Sequence, residues 1–219
     1  MADPYATRAP DLSGRPEGPP EWERAVAERG GVEADPDPPG EAAFTFVHCR
    51  GIGTLAPLAR VEPALAVLLW LEHSHGRRRG MEDANRLLAT LRSLDRPIYA
   101  IKQGSVGGPA DRPGCAEVEA DLIETALDAS ARGAVAWERD LDFGYDVPGV
   151  VAGLDAVRSR VLLPRLLYAD HDRVYEHAGL VAAKKRERYE IAARLRGLDP
   201  EVGAASGWPP VPTAGSWRE

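Results

Sequence analysis

The chain has 219 residues, of which 44% are hydrophobic and 28% are charged. This length is enough to bury one sizeable hydrophobic core, or such a core with a small appendage, and it excludes a peptide-sized scaffold or a long repeat array. The formal net charge of −7 disfavours a general nucleic-acid binder, because affinity for the phosphate backbone comes largely from Lys and Arg side chains.

Three features bear on the compartment. Cys49 and Cys115 lie in different segments and lack the paired spacing of a zinc site or a disulfide framework, which favours a reducing cytoplasm. The first residues lack the basic start and the apolar stretch of a secretory signal. The longest apolar run, residues 64–71, is far shorter than the ~20 residues of a membrane-spanning helix. We therefore expect a soluble cytoplasmic protein that binds neither membranes nor nucleic acids.

Proline and glycine divide the chain into three parts. Residues 1–41 are rich in proline, glycine and acidic side chains, so they are expected to form a disordered leader. Residues 203–219 are expected to form a disordered tail, although their WPPVP motif is also suited to lie extended in a partner's groove. Residues 42–202 are expected to form a single domain.

Within this domain the sequence alternates between strand and helix patterns. Strands or extended segments, rich in β-branched and aromatic residues, are predicted at 43–49, 54–61, 98–102 and 134–138. Helices are predicted at 62–73, 81–94, 117–132 and from 170 or 172 to 195.

The first predicted helix is nearly all apolar and is therefore expected to be buried. The segment 140–164 is predicted to be a loop, because three glycines and a proline interrupt it. The pattern favours a mixed α/β (α+β) fold, in a single domain with short strands and about four helices, flanked by disordered termini.

The second half of the chain carries several motifs in a characteristic order. They are IYAIKQGSVGGP (98–109), a helix, GAVAWERDLDFGYDVPGV (133–150), LLPRLLY (162–168) and the charged helix that begins with HDRVYEHAGL (171–180). In this order they resemble the C-terminal region of ATP-dependent phosphoenolpyruvate carboxykinases, in which a strand enters a Gly-Gly loop, a helix follows, and a Val-Pro segment leads to Pro-Gly and Leu-x-Pro-Arg. The resemblance covers residues 98–202, about half of the chain.

The resemblance implies a carboxy-lyase that decarboxylates oxaloacetate and transfers a phosphoryl group from ATP, with Mg²⁺ or Mn²⁺ clamping the phosphates. The sequence contains no Gly-Lys dipeptide, so the family's phosphate-binding P-loop is missing, as is the half that supplies its metal ligands. We therefore expect a truncated or split relative that is inactive alone. ATP and Mg²⁺ or Mn²⁺ would then be needed only after a P-loop-bearing partner polypeptide completes it.

The Gly-Gly loop is the candidate nucleotide site. In the family the segment after the two glycines lies beside the nucleotide base, so the resemblance implies that Gly107, Gly108 and Arg112 are on the nucleotide side. Glycine permits close approach of a ligand to the backbone, but Gly-Gly-Pro is also typical of a tight connection without a ligand. No catalytic residue and no metal site is assigned.

Adjacent His48 and Cys49 invite the interpretation of a nucleophile with a histidine base. No third orienting residue is evident, so two half-buried structural residues are the favoured interpretation.

Three further clusters are interpreted as structural. The sequence HSHGRRR at 73–79 follows the apolar helix, where solvated cations are favoured over a metal or phosphate site. A loop anchored by two aromatic residues is favoured over a cation site at Asp140, Asp142, Phe143, Tyr145 and Asp146. A solvated helix face is the expected role of the basic residues Lys184, Lys185, Arg186, Arg188, Arg194 and Arg196.

A second functional hypothesis competes with the carboxykinase-like one. The chain would then be a non-catalytic protein-interaction module or remnant without nucleotide binding, whose leader and tail carry the interactions. A small hydrolase built on His48 and Cys49 has less support.

Overall fold

A computed structural model of the chain describes residues 21–37, 40–49, 55–73, 80–102, 104–108, 114–168 and 171–208. In this part of the chain, helices pack against a six-stranded mixed sheet, and two further short strands pair with each other. This is the mixed α/β class that the sequence predicts.

The helices are α1 Glu21–Glu28, α2 Pro63–His73, α3 Met81–Ser93, α4 Ala120–Ala131, α5 Ala156–Val161, α6 His171–Ala193 and α7 Pro200–Ala204, with a 3-10 helix at Pro164–Tyr168. Helices α2, α3, α4 and α6 are the four that the sequence predicts, with bounds close to the predicted ones. Helix α2 begins with a proline. Proline has no N–H, which costs nothing in the first turn because the N–H groups there have no acceptor within the helix. The apolar residues of α2 are buried, as expected. The short helices α1, α5 and α7 are additional to the prediction.

The strands are β1 Gly31–Glu33, β2 Phe44–Cys49, β3 Leu58–Arg60, β4 Ile98–Lys102, β5 Ser105–Val106, β6 Ala116–Glu117, β7 Val135–Arg139 and β8 Asp146–Val151. The large sheet has the order β1-β2-β4-β3-β8-β7, and β5 pairs only with β6. Strands β1, β2 and β4 are parallel, whereas β3 is antiparallel to β4. The carboxyl ends of β2 and β4 therefore meet at one edge of the sheet, where Cys49 is the register partner of Lys102.

Each face of the sheet carries its own apolar core. On one face, residues of α2 and α3 pack with Val181 of α6 and Val202 of α7. On the other face, Trp22 and Val26 of α1 pack with the apolar side of α4. The described elements thus form three layers, helices on both faces of the sheet.

The structure corrects the predicted boundaries of the domain. Helix α1 and strand β1 lie inside the predicted leader 1–41, so the prediction of disorder is wrong for residues 21–37. The reason is burial, because Trp22 and Val26 pack against β2 and α4 although their local sequence is polar. Helix α7 likewise enters the predicted tail, and Trp208 lies under the guanidinium of Arg186 at 5.0 Å. Residues 1–20 and 209–219 lie outside the described residues.

The predicted loop 140–164 also contains regular structure, because β8 and α5 lie in it. Pro148 is tolerated in β8 because it faces Trp137 at a shift in register, and β3 pairs with β8 only at Asp146. Helix α5 begins at Asp155, whose carboxylate accepts hydrogen bonds from two backbone N–H groups of the first turn.

In the described part of the chain, no helix combines the length and the apolar character required to cross a membrane.

Candidate functional site

At the edge where β2 and β4 end, the two faces of the sheet carry different functional side chains. Phe46 packs in the core beside α1 and α4, and Val47 packs in the core beside α2. Because side chains alternate along a strand, His48 follows Phe46 and Cys49 follows Val47. The His48 ring accordingly lies 5.0 Å from the Trp22 ring and 5.4 Å from the Phe46 ring, measured between centroids.

The alternation argues against a nucleophile with a histidine base, because the imidazole of His48 and the thiol of Cys49 lie on opposite faces. Burial also raises the pKa of Cys49 to about 12, although nearby cations oppose this shift. A thiol with this pKa is almost entirely protonated at neutral pH and is a poor nucleophile. The structural interpretation of the pair is therefore supported.

The face beside α2 and α6 carries a buried ion cluster, which we call the Glu72 cluster: Glu72, Lys184 and Arg188. The Glu72 carboxylate accepts a hydrogen bond from Arg188 Nε at 3.0 Å and forms an ion pair with Lys184. The exposed fractions of these side chains are 3% for Glu72, 13% for Lys184 and 1% for Arg188. The predicted solvated face is therefore wrong for Lys184 and Arg188, because the carboxylate at the end of α2 compensates their buried charge.

Lys102, the register partner of Cys49, is a further buried cation at this edge. Its exposed fraction is 1%, and Nζ donates a hydrogen bond to the carbonyl oxygen of Ser105. Burial lowers the pKa of Lys102 to about 8, because the charged form loses hydration that the interior replaces only in part.

His48 also takes part in a small aromatic cluster at the same edge. Its ring stacks on His73 at the end of α2, with the centroids 4.7 Å apart, and its Nε2 lies 3.9 Å from a carboxylate oxygen of Glu33. His73 is the described member of the HSHGRRR sequence. Residues 74–79, with the predicted solvated cations, lie outside the described residues.

Gly107 and Gly108 directly follow β5 in a small hairpin formed by β5 and β6. Gly107 and Gly108 are buried and have φ angles of 85° and 128°, in the region that favours glycine. A Cβ atom added at Gly107 would lie 2.9 Å from the carbonyl oxygen of Gly114 and 3.2 Å from Leu167. The carbonyl oxygen of Gly108 accepts hydrogen bonds from Ser105 Oγ at 2.8 Å and Cys115 Sγ at 2.9 Å. The glycines thus have a packing role, and their predicted nucleotide role stays a prediction; Arg112 lies outside the described residues.

The legs of this hairpin line a pocket of about 220 Å³, which we call the α4 pocket. Its floor is the end of β4, and one wall is the start of α4. The lining residues are Trp22, Ile101, Lys102, Gly104, Glu117, Val118, Glu119, Ala120 and Ile123. The pocket therefore combines apolar walls with two carboxylates and the buried cation Lys102.

Two lining residues of the α4 pocket, Glu119 and Trp22, have unused hydrogen-bonding capacity among the described residues. The side chain of Glu119, the N-cap residue of α4, makes no cap hydrogen bond, so the first turn receives no side-chain acceptor from its cap. Trp22 is 7% exposed, and its buried indole Nε1 has no hydrogen-bond partner in the part of the chain that the structure describes. A buried donor without an acceptor is destabilising, and a ligand with an acceptor atom relieves this cost.

The loop that carries Asp140, Asp142 and Asp146 has the predicted structural role. Phe143 and Tyr145 are buried and stacked, with their ring centroids 5.7 Å apart, and the Tyr145 hydroxyl accepts a hydrogen bond from the backbone N–H of Ala56 at 3.2 Å. Asp140 accepts hydrogen bonds from backbone N–H groups, whereas Asp146 pairs with arginine side chains. Among the described residues, no group of three or more metal-ligating side chains is close enough to hold an ion.

Sequence reasoning missed the α4 pocket and found only the loop beside it. The sequence pattern places Trp22 in the predicted leader and Glu117 and Glu119 in the predicted helix 117–132. The Gly-rich turn after a buried strand was the signal in the sequence, because ligands often bind beyond the carboxyl ends of parallel strands.

Comparison of the sequence with models of known protein families and with curated proteins found no match.

Proposed function

We propose that this chain is a phosphoenolpyruvate carboxykinase-like protein that does not turn over oxaloacetate alone and that binds a nucleoside through its base in the α4 pocket. The observation that carries the proposal is the pocket itself, because it lies between the hairpin of the Gly-Gly loop and the start of α4. In the family that the sequence resembles, the segment after the two glycines lies beside the nucleotide base.

The lining of the pocket suits a heterocyclic base. Ile101 and Ile123 supply apolar surface for the faces of a planar ring. Ring nitrogens of a base are acceptors, which the unpartnered Trp22 N–H requires. Exocyclic amines and ribose hydroxyls are donors for the carboxylates of Glu117 and Glu119.

The same carboxylates argue against recognition of phosphates. Glu117 and Glu119 lie in the lining, and Asp121 follows in the first turn of α4. Their negative charges repel a di- or triphosphate group near the pocket, and the cation in the lining, Lys102, is buried with its Nζ hydrogen-bonded to the carbonyl oxygen of Ser105. Adenosine, ADP and ATP should therefore bind with similar affinity, or with a small preference for adenosine.

The size of the pocket sets the expected affinity. Its volume of about 220 Å³ is below the roughly 300–1,000 Å³ of pockets that enclose drug-sized ligands, so it accommodates a base while the ribose stays at the mouth. At about 0.3 kcal/mol per non-hydrogen atom, adenosine would bind with a dissociation constant on the order of 0.1 mM.

Catalysis in this proposal requires a second polypeptide. Conversion of oxaloacetate and ATP to phosphoenolpyruvate, ADP and CO₂ requires a P-loop lysine and a divalent metal ion, which stabilise the charge of the transferred phosphoryl group. The sequence has no Gly-Lys dipeptide to form that loop. A P-loop-bearing partner would supply this loop, which would bind the ATP phosphates together with Mg²⁺ or Mn²⁺. Among the described residues Cys49 and Cys115 are not joined in a disulfide, which supports the proposal of a cytoplasmic compartment.

Calorimetric titration of the purified chain with adenosine, ADP and ATP tests the binding proposal. Ala120→Phe places a ring in the pocket lining and should abolish binding, whereas Ala131→Phe at the exposed last turn of the same helix should leave it intact. Equal binding by both variants would contradict the assignment to the α4 pocket. Tight binding selective for ATP would show that phosphates, and not the base, are recognised.

A turnover assay tests the catalytic part. The purified chain with oxaloacetate, ATP and Mg²⁺ or Mn²⁺ should form no phosphoenolpyruvate above a heat-treated control. Metal-dependent turnover by the chain alone would contradict the requirement for a partner.

The interaction-module hypothesis is the second candidate, and exposed apolar side chains favour it. Leu141, Val157 and Tyr175 are the most exposed large apolar residues among those described. If no nucleoside binds at millimolar concentration, this candidate becomes the better account of the chain.

A further inference from the structure

The β5–β6 hairpin has little structural support of its own. Its two strands pair through only two register positions, Ser105 with Glu117 and Val106 with Ala116. An isolated two-stranded hairpin is at best marginally stable in water, so contacts with the rest of the protein must hold this one in place. Because Gly104, Glu117 and Val118 line the α4 pocket, the position of the hairpin sets the shape of the pocket.

Arg173, in the first turns of α6, connects the hairpin with two other segments. Its guanidinium donates a hydrogen bond through Nη1 to the carbonyl oxygen of Leu167 at 2.7 Å, and another through Nη2 to the carbonyl oxygen of Gly107. The guanidinium also lies over the ring of Tyr168, with Cζ 4.6 Å from the centroid. One side chain thus joins the tip of the hairpin, the 3-10 helix and α6.

Both legs of the hairpin are shaped around this guanidinium. A Cβ atom added at Gly114 would lie 2.8 Å from Arg173 Nη1, and the φ angle of Gly114 is 82°. Gly107, on the other leg, has its carbonyl oxygen on Nη2 and no room for a side chain beside Leu167. Glycine is therefore required on both sides of the arginine.

From this geometry we propose that Arg173 is a positioning residue that fixes the β5–β6 hairpin and thereby sets the α4 pocket. Arg173 is not among the residues that line the pocket, so it acts through the hairpin. The effect on ligand binding rests on the proposed nucleoside function, whereas the effect on the hairpin does not.

Arginine is suited to this role for a chemical reason. A planar guanidinium has several donors in a fixed fork and binds two carbonyl oxygens while its face stacks on an aromatic ring. A lysine ammonium keeps the charge but lacks the planar fork, so Arg173→Lys separates the bridging geometry from the charge.

Hydrogen–deuterium exchange of the full chain, read by mass spectrometry, tests the proposal. In Arg173→Lys, peptides that cover residues 104–118 should exchange at least about tenfold faster, because a bridging charge-assisted hydrogen bond is lost. Peptides of β2 and α2 should exchange at the wild-type rate. The control is Arg194→Ala, which removes an exposed arginine just after α6 and should change neither region.

Adenosine titration of the same proteins provides the second measurement. A loosened hairpin should weaken adenosine binding by about five- to tenfold, because the free protein then has to order the pocket wall on binding. Wild-type exchange of residues 104–118 in Arg173→Lys would overturn the proposal. Faster exchange with unchanged adenosine affinity would overturn the link between hairpin and pocket. If the wild type binds no adenosine but the hairpin is loosened in the variant, the nucleoside function fails while the positioning role of Arg173 is upheld.

Discussion

The two faces of the sheet differ at the edge where β2 and β4 end. On the face beside α2 and α6, the buried cations Lys184 and Arg188 both contact the buried carboxylate of Glu72. On the face beside α1 and α4, the α4 pocket has open space, two carboxylates, Lys102 and a buried indole N–H that has no acceptor among the described residues. The difference teaches that buried charge alone does not identify a binding site, since compensated charges can simply hold two helices together, whereas space beside uncompensated polar groups favours a ligand.

Removal of the Glu72 carboxylate should destabilise the protein at the face beside α2 and α6. Glu72→Gln removes the counter-ion of buried Arg188 and leaves Lys184 with only the exposed carboxylate of Glu187, so the free energy of unfolding should fall by about 3–5 kcal/mol. Urea denaturation measures this loss. Glu187→Gln removes the exposed partner of Lys184 and should change stability by less than about 0.5 kcal/mol. Similar losses in the two variants would show that the Glu72 cluster is not a buried network.

Thiol chemistry provides a second test of the same face. Burial raises the pKa of Cys49 from its ordinary value of 9.0 to about 12, which reduces its thiolate fraction at pH 8 by about a thousandfold. Alkylation with iodoacetamide, mapped by mass spectrometry, should therefore leave Cys49 unmodified in the native protein. The same thiol should be alkylated in urea. Rapid native alkylation of Cys49 would contradict this description.

Lys102 should make stability depend on alkaline pH. Its pKa is about 8 in the folded chain and 10.5 in the unfolded reference, so the folded state binds fewer protons between these values. The contribution of Lys102 to stability should therefore rise by at most about 3 kcal/mol from pH 8 to about 10.5, and this gain should be absent below pH 8. The comparison is between wild type and Lys102→Met, so that other titrating groups cancel. A stability difference that does not vary with pH in this window would contradict the lowered pKa.

The smallest expected effect concerns the pocket face. Trp22→Phe keeps an aromatic ring but removes an N–H that has no acceptor among the described residues, so adenosine binding should weaken by about three- to tenfold. Because Trp22 is buried in the core, the smaller ring should also lower the free energy of unfolding, by about 1–3 kcal/mol. Trp208→Phe is the matched control, because Trp208 lies against Arg186 and not in the pocket. Equal affinities of wild type and Trp22→Phe would show that the indole N–H does not bind the base.

The elements that sequence predicts best are those with a strong local pattern. Helix α2 has a proline start and an uninterrupted apolar run, and β4 is an apolar strand bounded by Pro97 and a glycine loop. Strand β8 was missed because Pro148 and Gly149 are typical of loops. A register shift in the pairing of β7 with β8 accommodates the proline. No local sequence pattern predicts such a register shift.

The candidate site was predicted only in part, because most of its contacts are distant in sequence. Glu72 and Arg188 are 116 positions apart, so the basic stripe of α6 looks solvated until α2 is placed beside it. Trp22 and Ile123 meet only through the packing of α1 on α4. The Gly-Gly turn, by contrast, has a local signal in its glycines, and the positive φ angles of Gly107 and Gly108 explain it.

The central claim is that the open face, and not the compensated one, binds a ligand. Titration of ¹⁵N-labelled protein with adenosine and with ATP, followed by amide chemical shifts, tests it most directly. Both ligands should shift the same amides, at Ile101, Gly104 and residues 117–123, with similar dissociation constants. Absence of shifts at millimolar ligand, or shifts centred on Cys49, Lys184 and Arg188, would contradict the claim.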